Sequence, residues 1–380
     1  MYNKLSSCIK EIFIRYFYFK INRKSKKKVL LSFIVHPFLK RTKSHPNSKE
    51  LFTIVSILKE LDYEVTVVDY RRKKIFGNYD LVLGFGNCYE YALLNKIAKK
   101  YVLYSTGSPC LYQNQKAIEA IFRYEKSNSN MLQECFKKHV RFTESIWLNQ
   151  LLFSDAIITI GNERTKKLFG KFHNNVYTIP AMSFELEDKN IKNELPLELN
   201  SFLWFGGKGS IHKGLDLCID AAIKTNSILY VAGPLDDEIY LYQDKISKNP
   251  NNIKYVGFLD IESSEFDKYC KTIPFTILPS CSEGIATSII TLSYNYGTIP
   301  LLSKECGFDY DSYIYKIESL DLESVIGAIQ KVNNLNLNEV LNQRECIKKY
   351  FRKKYSQNEF YTSFKNSLLM IENESNNDRI

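Results

Sequence analysis

Two short clusters in the carboxyl half of the sequence combine residue types that could bind a phosphate or a sugar. The first covers residues 206–214, a glycine-rich stretch that carries Lys208 and Lys213 and joins a predicted strand to a predicted helix. Glycines at such a turn let a ligand approach the backbone, a helix amino terminus favours anions, and lysines add charge-assisted hydrogen bonds. The stretch is not a P-loop, because Leu215-Asp216 stand where that motif requires Lys followed by Ser or Thr. A tight turn with solvated lysines remains the alternative interpretation.

The second cluster, residues 279–284, follows a later predicted strand and contains Glu283 just before Gly284. A carboxylate at the end of a strand, followed by Gly and the start of a helix, can accept hydrogen bonds from sugar hydroxyls. It can equally cap the helix and complement the helix dipole. Taken alone, Glu283 therefore does not indicate a function.

Considered together, the two clusters resemble the pattern of glycosyltransferase family 4, in the GT-B superfamily, over residues 202 to about 307. Members carry Gly-Arg, four intervening residues and then Lys-Gly; Gly207-Lys208 and Lys213-Gly214 fit this spacing, with Lys in place of Arg. The remaining motifs occur in the family's order: Val256-Gly257-Phe258, Pro279-Ser280, Glu283-Gly284 and Gly297-Thr298-Ile299-Pro300.

The resemblance implies catalytic roles for Lys208, Lys213 and Glu283. The two lysines would hold the diphosphate of a nucleotide sugar, and Glu283 would face the donor sugar or the nucleotide. Fixed cations suit this reaction, since breaking a glycosyl–phosphate bond leaves negative charge that grows in the transition state. The other predicted donor contacts are Gly206, Gly207, Gly209, Gly257, Ser282, Gly284 and Thr291.

No cofactor and no metal ion are expected, because GT-B enzymes generally work without a divalent metal. Asp309-Tyr310-Asp311 has the D-x-D spelling of some metal sites, but it falls after a strand in a polar loop. The sequence departs from the family pattern at Thr291, where members usually carry a second Glu that binds the nucleotide ribose. A hydroxyl can still form that hydrogen bond, but without charge.

The amino-terminal half matches the family less well, because the Gly-Gly loop after the first strand and the His of a middle loop are missing. The polar residues in these loops are the candidate sugar or acceptor contacts: His45, Asn47, Thr106, Gly107 and Ser108. His45 and Asn47 could instead only begin a helix. No catalytic base is assigned, and a retaining transferase of this family does not require one, since the leaving phosphate can take the acceptor proton.

Short apolar runs rich in β-branched residues alternate with helical patterns from residue 28 onward, which is typical of parallel sheets wound by crossover helices. Strands are predicted at residues 29–35, 64–69, 80–84, 101–104, 156–160, 176–179, 201–205, 228–232, 253–256, 275–278 and 299–302. Helices are predicted at residues 49–61, 89–99, 214–224, 236–248, 263–271, 285–296 and 322 to about 371.

The predicted fold class is α/β with the GT-B architecture. Two Rossmann-like, doubly wound parallel-sheet domains would face a central cleft, preceded by an amphipathic amino-terminal helix. The predicted divisions are residues 1–27 (basic amphipathic segment), 28–184 (acceptor domain), 185–200 (linker), 201–350 (nucleotide-sugar donor domain) and 351–380 (terminal helix and tail).

The charge balance favours anionic ligands. The chain has 52 Lys and Arg against 42 Asp and Glu, a net charge of +10, which suits phosphate-bearing ligands or an anionic membrane. Nucleic acid is not an expected partner, because no zinc-finger, RRM, KH or helix-turn-helix signature is present. Between residues 5 and 17, apolar side chains recur at helical spacing among basic residues. Such a helix can lie in the headgroup region of a membrane or pack on the protein's own body.

The expected location is the cytoplasm, with peripheral contact between residues 1–27 and the inner face of the plasma membrane. No run of about 18 apolar residues spans a membrane, and no secretory signal is evident. The nine scattered cysteines include no C-x-x-C spacing and indicate free thiols in a reducing compartment.

The leading hypothesis is a hexosyltransferase that acts with retention on a glycan or lipid-linked glycan acceptor in cell-surface polysaccharide synthesis. A sugar-nucleotide epimerase on the same scaffold is one alternative, although it would need an acid/base pair. A GT-B-like protein that binds nucleotide sugar without catalysis is the other, and the missing second Glu is compatible with it.

Overall fold

The structure, a computed structural model, describes residues 18–22, 24–39, 46–128, 139–145, 147–183, 185–186, 196–311 and 313–377. The predicted amphipathic helix at residues 5–17 lies outside these residues, as do His45 and most of the predicted linker. The side chain of Asn47 is likewise outside the described part.

Strands and helices alternate along the described chain. The strands are β1 (Tyr18–Ile21), β2 (Lys27–Phe33), β3 (Tyr63–Asp69), β4 (Tyr79–Gly84), β5 (Ala98–Ser105), β6 (Ala156–Ile160), β7 (Val176–Ile179), β8 (Ser201–Phe205), β9 (Ile228–Ala232), β10 (Ile253–Gly257), β11 (Phe275–Leu278), β12 (Ile299–Ser303) and β13 (Tyr315–Ile317). The helices are α1 (His36–Leu39), α2 (Pro46–Glu60), α3 (Gly86–Leu94), α4 (Cys110–Asn128), α5 (Leu148–Phe153), α6 (Glu163–Phe169), α7 (Leu215–Lys224), α8 (Gln243–Lys248), α9 (Ser264–Thr272), α10 (Thr287–Tyr296), α11 (Leu322–Asn333), α12 (Leu337–Lys354) and α13 (Gln357–Asn377).

Burial explains why the strands are apolar runs. Every residue of β6 and of β12 is buried, as expected for parallel strands that are covered on both faces. Some of the helices begin at local capping signals. Ser263 accepts a hydrogen bond from the backbone N–H of Phe266 at the start of α9, and Asn336 and Glu339 form a capping box at the start of α12.

The first of two compact units consists of Met1–Thr106, Ser145–Met182 and Gln357–Ile380. Its sheet has the order β1-β3-β2-β4-β5-β6-β7, and each neighbouring pair is parallel except β1 and β3. Strand β1 was not predicted, because it lies within the basic amino-terminal segment and none of its four residues is buried, so it forms no apolar run. Helix α13 belongs to this unit, where Tyr361 and Lys365 bind Glu60.

The second unit consists of Gly107–Glu144 and Ser183–Ser356. Its six strands are all parallel, in the order β10-β9-β8-β11-β12-β13. Helix α4 lies in this unit, although its sequence position is within the predicted acceptor domain. The reason is a set of polar contacts: Arg123 binds Asp216 at 3.1 and 3.2 Å, and Tyr112 OH donates to Glu305 Oε2 at 2.9 Å.

The predicted bounds agree closely with the observed bounds for the buried strands and less well for the helices. Strands β6, β7, β8, β9 and β11 have the predicted bounds. The helix predicted at residues 89–99 is wrong at its end, because Lys96 has a positive φ of 52° and the chain turns into β5. The helix predicted at 236–248 is α-helical only in α8, after a 3-10 turn at Ile239–Leu241. The terminal helical region is three helices, α11 to α13.

No helix in the described part of the chain has both the length and the apolar character needed to cross a membrane.

Candidate functional site

The two predicted clusters meet where Gly214 passes Pro279. Gly214 has a φ of +67° and directly precedes α7, so the backbone there is in the left-handed region that favours Gly. A Cβ atom on Gly214 would lie only 2.4 Å from the carbonyl oxygen of Pro279. Glycine is therefore needed for this approach, which brings the turn after β8 against the loop after β11.

Lys213 and Glu283 form a largely buried ion pair beside this contact. Lys213 Nζ lies 2.5 Å from Glu283 Oε1, and the two side chains are 11% and 7% exposed. Ser280 Oγ donates a hydrogen bond to the same oxygen at 3.1 Å. The structure thus brings two of the three predicted catalytic residues into direct contact.

Glu283 also binds a second cation, Arg141. Arg141 Nη1 lies 2.9 Å from Glu283 Oε2, and the Arg141 side chain is 48% exposed. Arg141 comes from residues 139–144, which belong to the second unit. The sequence does not mark Arg141, because it belongs to no motif and precedes the first cluster by about 70 positions and Glu283 by 142.

The charge state of Glu283 follows from these contacts. Burial alone would raise the pKa of Glu283, but the charges of Lys213 and Arg141 outweigh burial and lower that pKa to about 2. The carboxylate is therefore ionised at neutral pH and can accept hydrogen bonds but not donate a proton. Two cations around one carboxylate leave a net positive charge, which favours an anionic ligand.

His212, in the first cluster, contacts the second cluster through a hydrogen bond. Its ring is fully buried, and Nε2 lies 2.8 Å from the backbone oxygen of Ser282. Burial lowers the pKa of His212 to about 4, although the nearby Glu283 charge opposes that shift. The ring is therefore neutral at pH 7. Within the described chain, His212 Nδ1 and the Ser282 hydroxyl are buried polar atoms with no hydrogen-bond partner.

Lys208 lies in the same turn but makes a different contact. Its Nζ is 2.9 Å from Asp237 Oδ2, and the two side chains are 64% and 74% exposed. The backbone amides of Gly209 and Ser210 donate to the buried carboxylate of Glu238 at 2.8 and 2.7 Å. The structure therefore does not bring Lys208 to Glu283, and an internal carboxylate already binds two amides of the glycine-rich turn.

The remaining predicted donor contacts have mixed surroundings. Thr291 Oγ1 donates to the Thr287 carbonyl within α10 at 3.1 Å, so its hydroxyl is used inside the helix. Gly257 has a φ of +74°, and no described atom lies within 4 Å of where its Cβ would be. The same open surroundings are found at Gly207, whereas a Cβ on Gly206 would meet the Trp204 ring at 2.6 Å. Gly284 packs through its carbonyl oxygen against Gly307.

Among the predicted acceptor contacts in the described part of the chain, Ser108 forms a hydrogen bond to Glu283. Its Oγ donates to the backbone oxygen of Glu283 at 2.6 Å, and the residue is buried. Ser108 and Gly107 belong to the second unit, while Thr106 is exposed in the first. Asn47 lies in the first turn of α2.

The D-x-D residues have other partners. Lys354 Nζ lies 3.1 Å from Asp309 Oδ2, and Asp311 Oδ1 accepts a hydrogen bond from the backbone N–H of Tyr313. Across the described residues, no group of three His, Cys, Asp or Glu side chains is arranged to hold a metal ion.

Similarity to known proteins is found only among solved structures. No protein-family model and no curated protein sequence matches the chain. The structure of HepE from Anabaena in complex with UDP matches with a TM-score of 0.58 at 11% identity, over 90% of this chain and 100% of that chain. A glycosyltransferase from Rickettsia africae matches with a TM-score of 0.55 at 13% identity, over 92% and 98% of the two chains. WaaG, a glycosyltransferase involved in lipopolysaccharide biosynthesis, has a TM-score of 0.51 at 13% identity, over 90% and 98%.

The chain has the GT-B fold. Its two parallel sheets, of seven and six strands, and its similarity to these glycosyltransferases confirm the predicted fold class. At 11–13% identity the similarity shows the fold alone. The narrower resemblance to family 4 therefore depends on the motifs around Lys213 and Glu283.

Proposed function

We propose that this chain is a glycosyltransferase that moves a hexose from a nucleoside diphosphate sugar onto a glycan or a lipid-linked glycan. The observation that carries this proposal is the buried ion pair of Lys213 and Glu283, 2.5 Å apart, between the loops that follow β8 and β11. Ligands of open α/β sheets bind outside the carboxyl ends of parallel strands. These two loops begin at the carboxyl ends of β8 and β11.

The chemistry of the pair suits the breaking of a glycosyl–phosphate bond. Lys213 would bind an oxygen of the donor diphosphate and would stabilise the negative charge that develops on it as the bond breaks. Glu283, which is ionised at neutral pH because its pKa is about 2, would accept a hydrogen bond from a donor hydroxyl.

The similar structures support a nucleotide sugar as the donor. HepE was solved in complex with UDP and, separately, with UDP-glucose. TarM from S. aureus was solved with UDP and alpha-GlcNAc-glycerol. Because WaaG is involved in lipopolysaccharide biosynthesis, we place the proposed reaction in cell-surface polysaccharide synthesis.

We further propose that transfer retains the anomeric configuration and needs no metal ion or other cofactor. The departing phosphate would take the acceptor proton, so that no separate base is required. Lys213 and Arg141 supply the positive charge that this mechanism needs beside the leaving group. The reaction would occur at the cytosolic membrane face, with residues 1–17 in contact with anionic lipid.

The experiment is a transfer assay with purified protein, UDP-glucose, UDP-N-acetylglucosamine and GDP-mannose as donors, and a panel of glycan and lipid-linked acceptors. We expect release of a nucleoside diphosphate together with a glycosylated product. NMR of that product should show the same anomeric configuration as the donor.

Other outcomes would contradict the proposal in different ways. Conversion of the sugar while it is still attached to the nucleotide would favour the epimerase. Binding of a donor without transfer to any acceptor would favour a non-catalytic protein. An inverted product would contradict only retention.

A further inference from the structure

We propose that Arg141, rather than Lys208, is the second cation that binds the donor diphosphate. The inference rests on the proposed function and assigns a residue that the motif pattern does not contain. It follows from three features of the described chain: the position of Arg141 at Glu283, its packing on the glycine-rich turn, and the partner of Lys208.

Arg141 and Lys213 bind opposite oxygens of one carboxylate. Lys213 Nζ lies 2.5 Å from Glu283 Oε1, and Arg141 Nη1 lies 2.9 Å from Oε2. The two cationic groups are therefore held on the same carboxylate, so that one diphosphate could contact both of them. About half of the Arg141 side chain is exposed, so the side chain remains partly accessible to a ligand.

The glycine-rich turn is shaped around Arg141. Gly209 has a φ of +87°, and a Cβ atom there would lie 2.9 Å from Cγ of Arg141. The aliphatic part of Arg141 thus crosses directly over the turn predicted to approach the diphosphate. Only a glycine lets both the backbone and the arginine occupy these positions.

Lys208, which the motif places in the cationic role, is directed elsewhere. Its amine forms an exposed ion pair with Asp237 at 2.9 Å. The amides of Gly209 and Ser210, which could otherwise bind phosphate, donate to Glu238. The positive charge at Glu283 therefore comes from Lys213 and Arg141.

Arg141 is positioned by contacts within the second unit. Gln113 Nε2 donates to the Arg141 carbonyl oxygen at 2.5 Å and to Thr143 Oγ1 at 3.0 Å. Gln113 lies in α4, and that helix is fixed to α7 by the ion pair between Arg123 and Asp216. The backbone at Arg141 is thus held while its side chain stays partly exposed.

The chemistry of a guanidinium fits the role. Its planar fork can bind two phosphate oxygens at once, which an ammonium group does not do. A diphosphate carries more charge than one carboxylate and would compete with Glu283 for Arg141. Glu283 Oε2 would then be available to a hydroxyl of the donor sugar.

The test measures the affinity of UDP, GDP and ADP by calorimetry for the full chain and for Arg141→Ala, Arg141→Lys and Lys208→Ala. For the diphosphate that binds the unsubstituted chain, we expect at least a tenfold loss in R141A. R141K should lose three- to tenfold, since it keeps the charge without the fork, and K208A less than threefold. Lys126→Ala removes an exposed charge from α4 in the same unit. This variant should bind the diphosphate with unchanged affinity.

The affinity of the corresponding nucleoside monophosphate, measured for the same variants, distinguishes a direct phosphate contact of Arg141 from a structural effect of the substitution. Because the attraction depends on phosphate charge, R141A should weaken the monophosphate by a smaller factor than the diphosphate. Equal losses for both ligands, normal diphosphate affinity in R141A, or a greater loss in K208A than in R141A would overturn the inference while leaving the proposed function in place. If none of the three diphosphates binds the unsubstituted chain, the proposed function fails and the inference fails with it.

Discussion

Lys213 and Glu283 are 70 residues apart in the sequence, yet Lys213 Nζ lies 2.5 Å from Glu283 Oε1. The second oxygen of the carboxylate binds Arg141, and Ser280 donates to the first. Glu283 thus orients two cations at once through hydrogen bonds to both of its oxygens. A diphosphate entering this site would meet cations that are already positioned, which lowers the cost of ordering them.

Replacement of either partner should reduce sugar transfer. We expect Lys213→Ala and Glu283→Ala each to lower the transfer rate at least tenfold, which corresponds to about 1.4 kcal/mol of lost transition-state stabilisation. Lys213→Ala removes a cation from the leaving group, and Glu283→Ala removes the carboxylate that orients both cations. Single-turnover assays with saturating donor would measure the effect.

Lys248→Ala is the matched control, because Lys248 forms an exposed ion pair with Asp244 in the same unit. The Lys248→Ala variant should transfer sugar at the same rate as the unsubstituted chain. Unchanged rates in both site variants, with circular dichroism showing an intact fold, would disprove the assignment of Lys213 and Glu283.

A second buried carboxylate, Glu50 in the first unit, should make stability depend on pH. Glu50 is 7% exposed, and Tyr104 OH donates to its Oε1 at 2.7 Å. Burial raises the pKa of Glu50 to about 7, although the bond from Tyr104 opposes the shift. The folded chain therefore keeps a proton that the unfolded chain releases above a pKa of 4.5. Stability should fall as the pH rises from about 4.5 to 7.

Glu50→Gln removes this titration while keeping an oxygen that Tyr104 can bind. We expect the variant to raise the free energy of unfolding by up to roughly 3 kcal/mol at pH 8 and to have little effect at pH 4. Denaturant unfolding at both pH values measures the difference. Glu345→Gln, at an exposed position of α12, is the control and should change neither value. An equal increase in the free energy of unfolding of Glu50→Gln at both pH values would contradict the assigned pKa.

Local sequence patterns were sufficient to predict most of the two sheets. Strands such as β6 and β8 are short apolar runs whose residues are almost all buried, so their composition reflects their position directly. The family resemblance assigned Lys213 and Glu283 to the same donor, and in the structure both residues belong to loops that follow neighbouring strands, β8 and β11. Strand β1 has no buried residue and strand β13 has only three residues, so neither shows such a signal.

Contacts between distant parts of the chain could not be predicted in this way. Helix α4 belongs to the second unit because Arg123 binds Asp216, 93 residues later, and a single sequence contains no local mark of that pair. For the same reason the contact of Arg141 with Glu283, 142 residues later in the sequence, was not predicted. Glu238 was missed because a third acidic residue after Asp236 and Asp237 reads as a solvated surface, whereas its carboxylate is buried.

Deletion of residues 2–17 should weaken binding to anionic membranes. The deletion must stop before β1, because Tyr18 pairs with Val68 and Ile21 pairs with Val65 in the sheet. The deleted stretch contains three basic residues and one acidic residue, and a basic residue near such a surface adds about 1 kcal/mol of attraction. In flotation with vesicles rich in phosphatidylserine, the full chain should float with the vesicles. The shortened chain should remain at the bottom of the gradient.

Phosphatidylcholine vesicles are the control for this deletion and should retain little of either protein. Nucleotide affinity should be the same for both, because the second unit is untouched. Equal flotation of the two proteins with anionic vesicles would show that residues 2–17 are not the membrane contact.

The ion pair between Arg123 and Asp216 should determine whether α4 stays on the second unit. Asp216 is 4% exposed, and the Arg123 side chain is 16% exposed; Arg123 Nη2 also donates to the Ile211 carbonyl at 3.0 Å. Burial raises the pKa of Asp216, and the charge of Arg123 opposes that shift. Arg123→Met would leave a buried carboxylate without its cation, a change that typically costs about 3–5 kcal/mol.

The loss should depend on pH and should be partly reversible by a second substitution. Asp216 can avoid the penalty by binding a proton, so Arg123→Met should lower the thermal midpoint less at pH 5 than at pH 8. Asp216→Asn added to Arg123→Met should recover most of the loss at pH 8, because a neutral amide is less costly to bury than a carboxylate. Since α4 positions Arg141 through Gln113, nucleoside diphosphate affinity should fall in Arg123→Met at a temperature where the variant is still folded. An Arg123→Met variant with normal stability and normal affinity would show that α4 is held by other contacts.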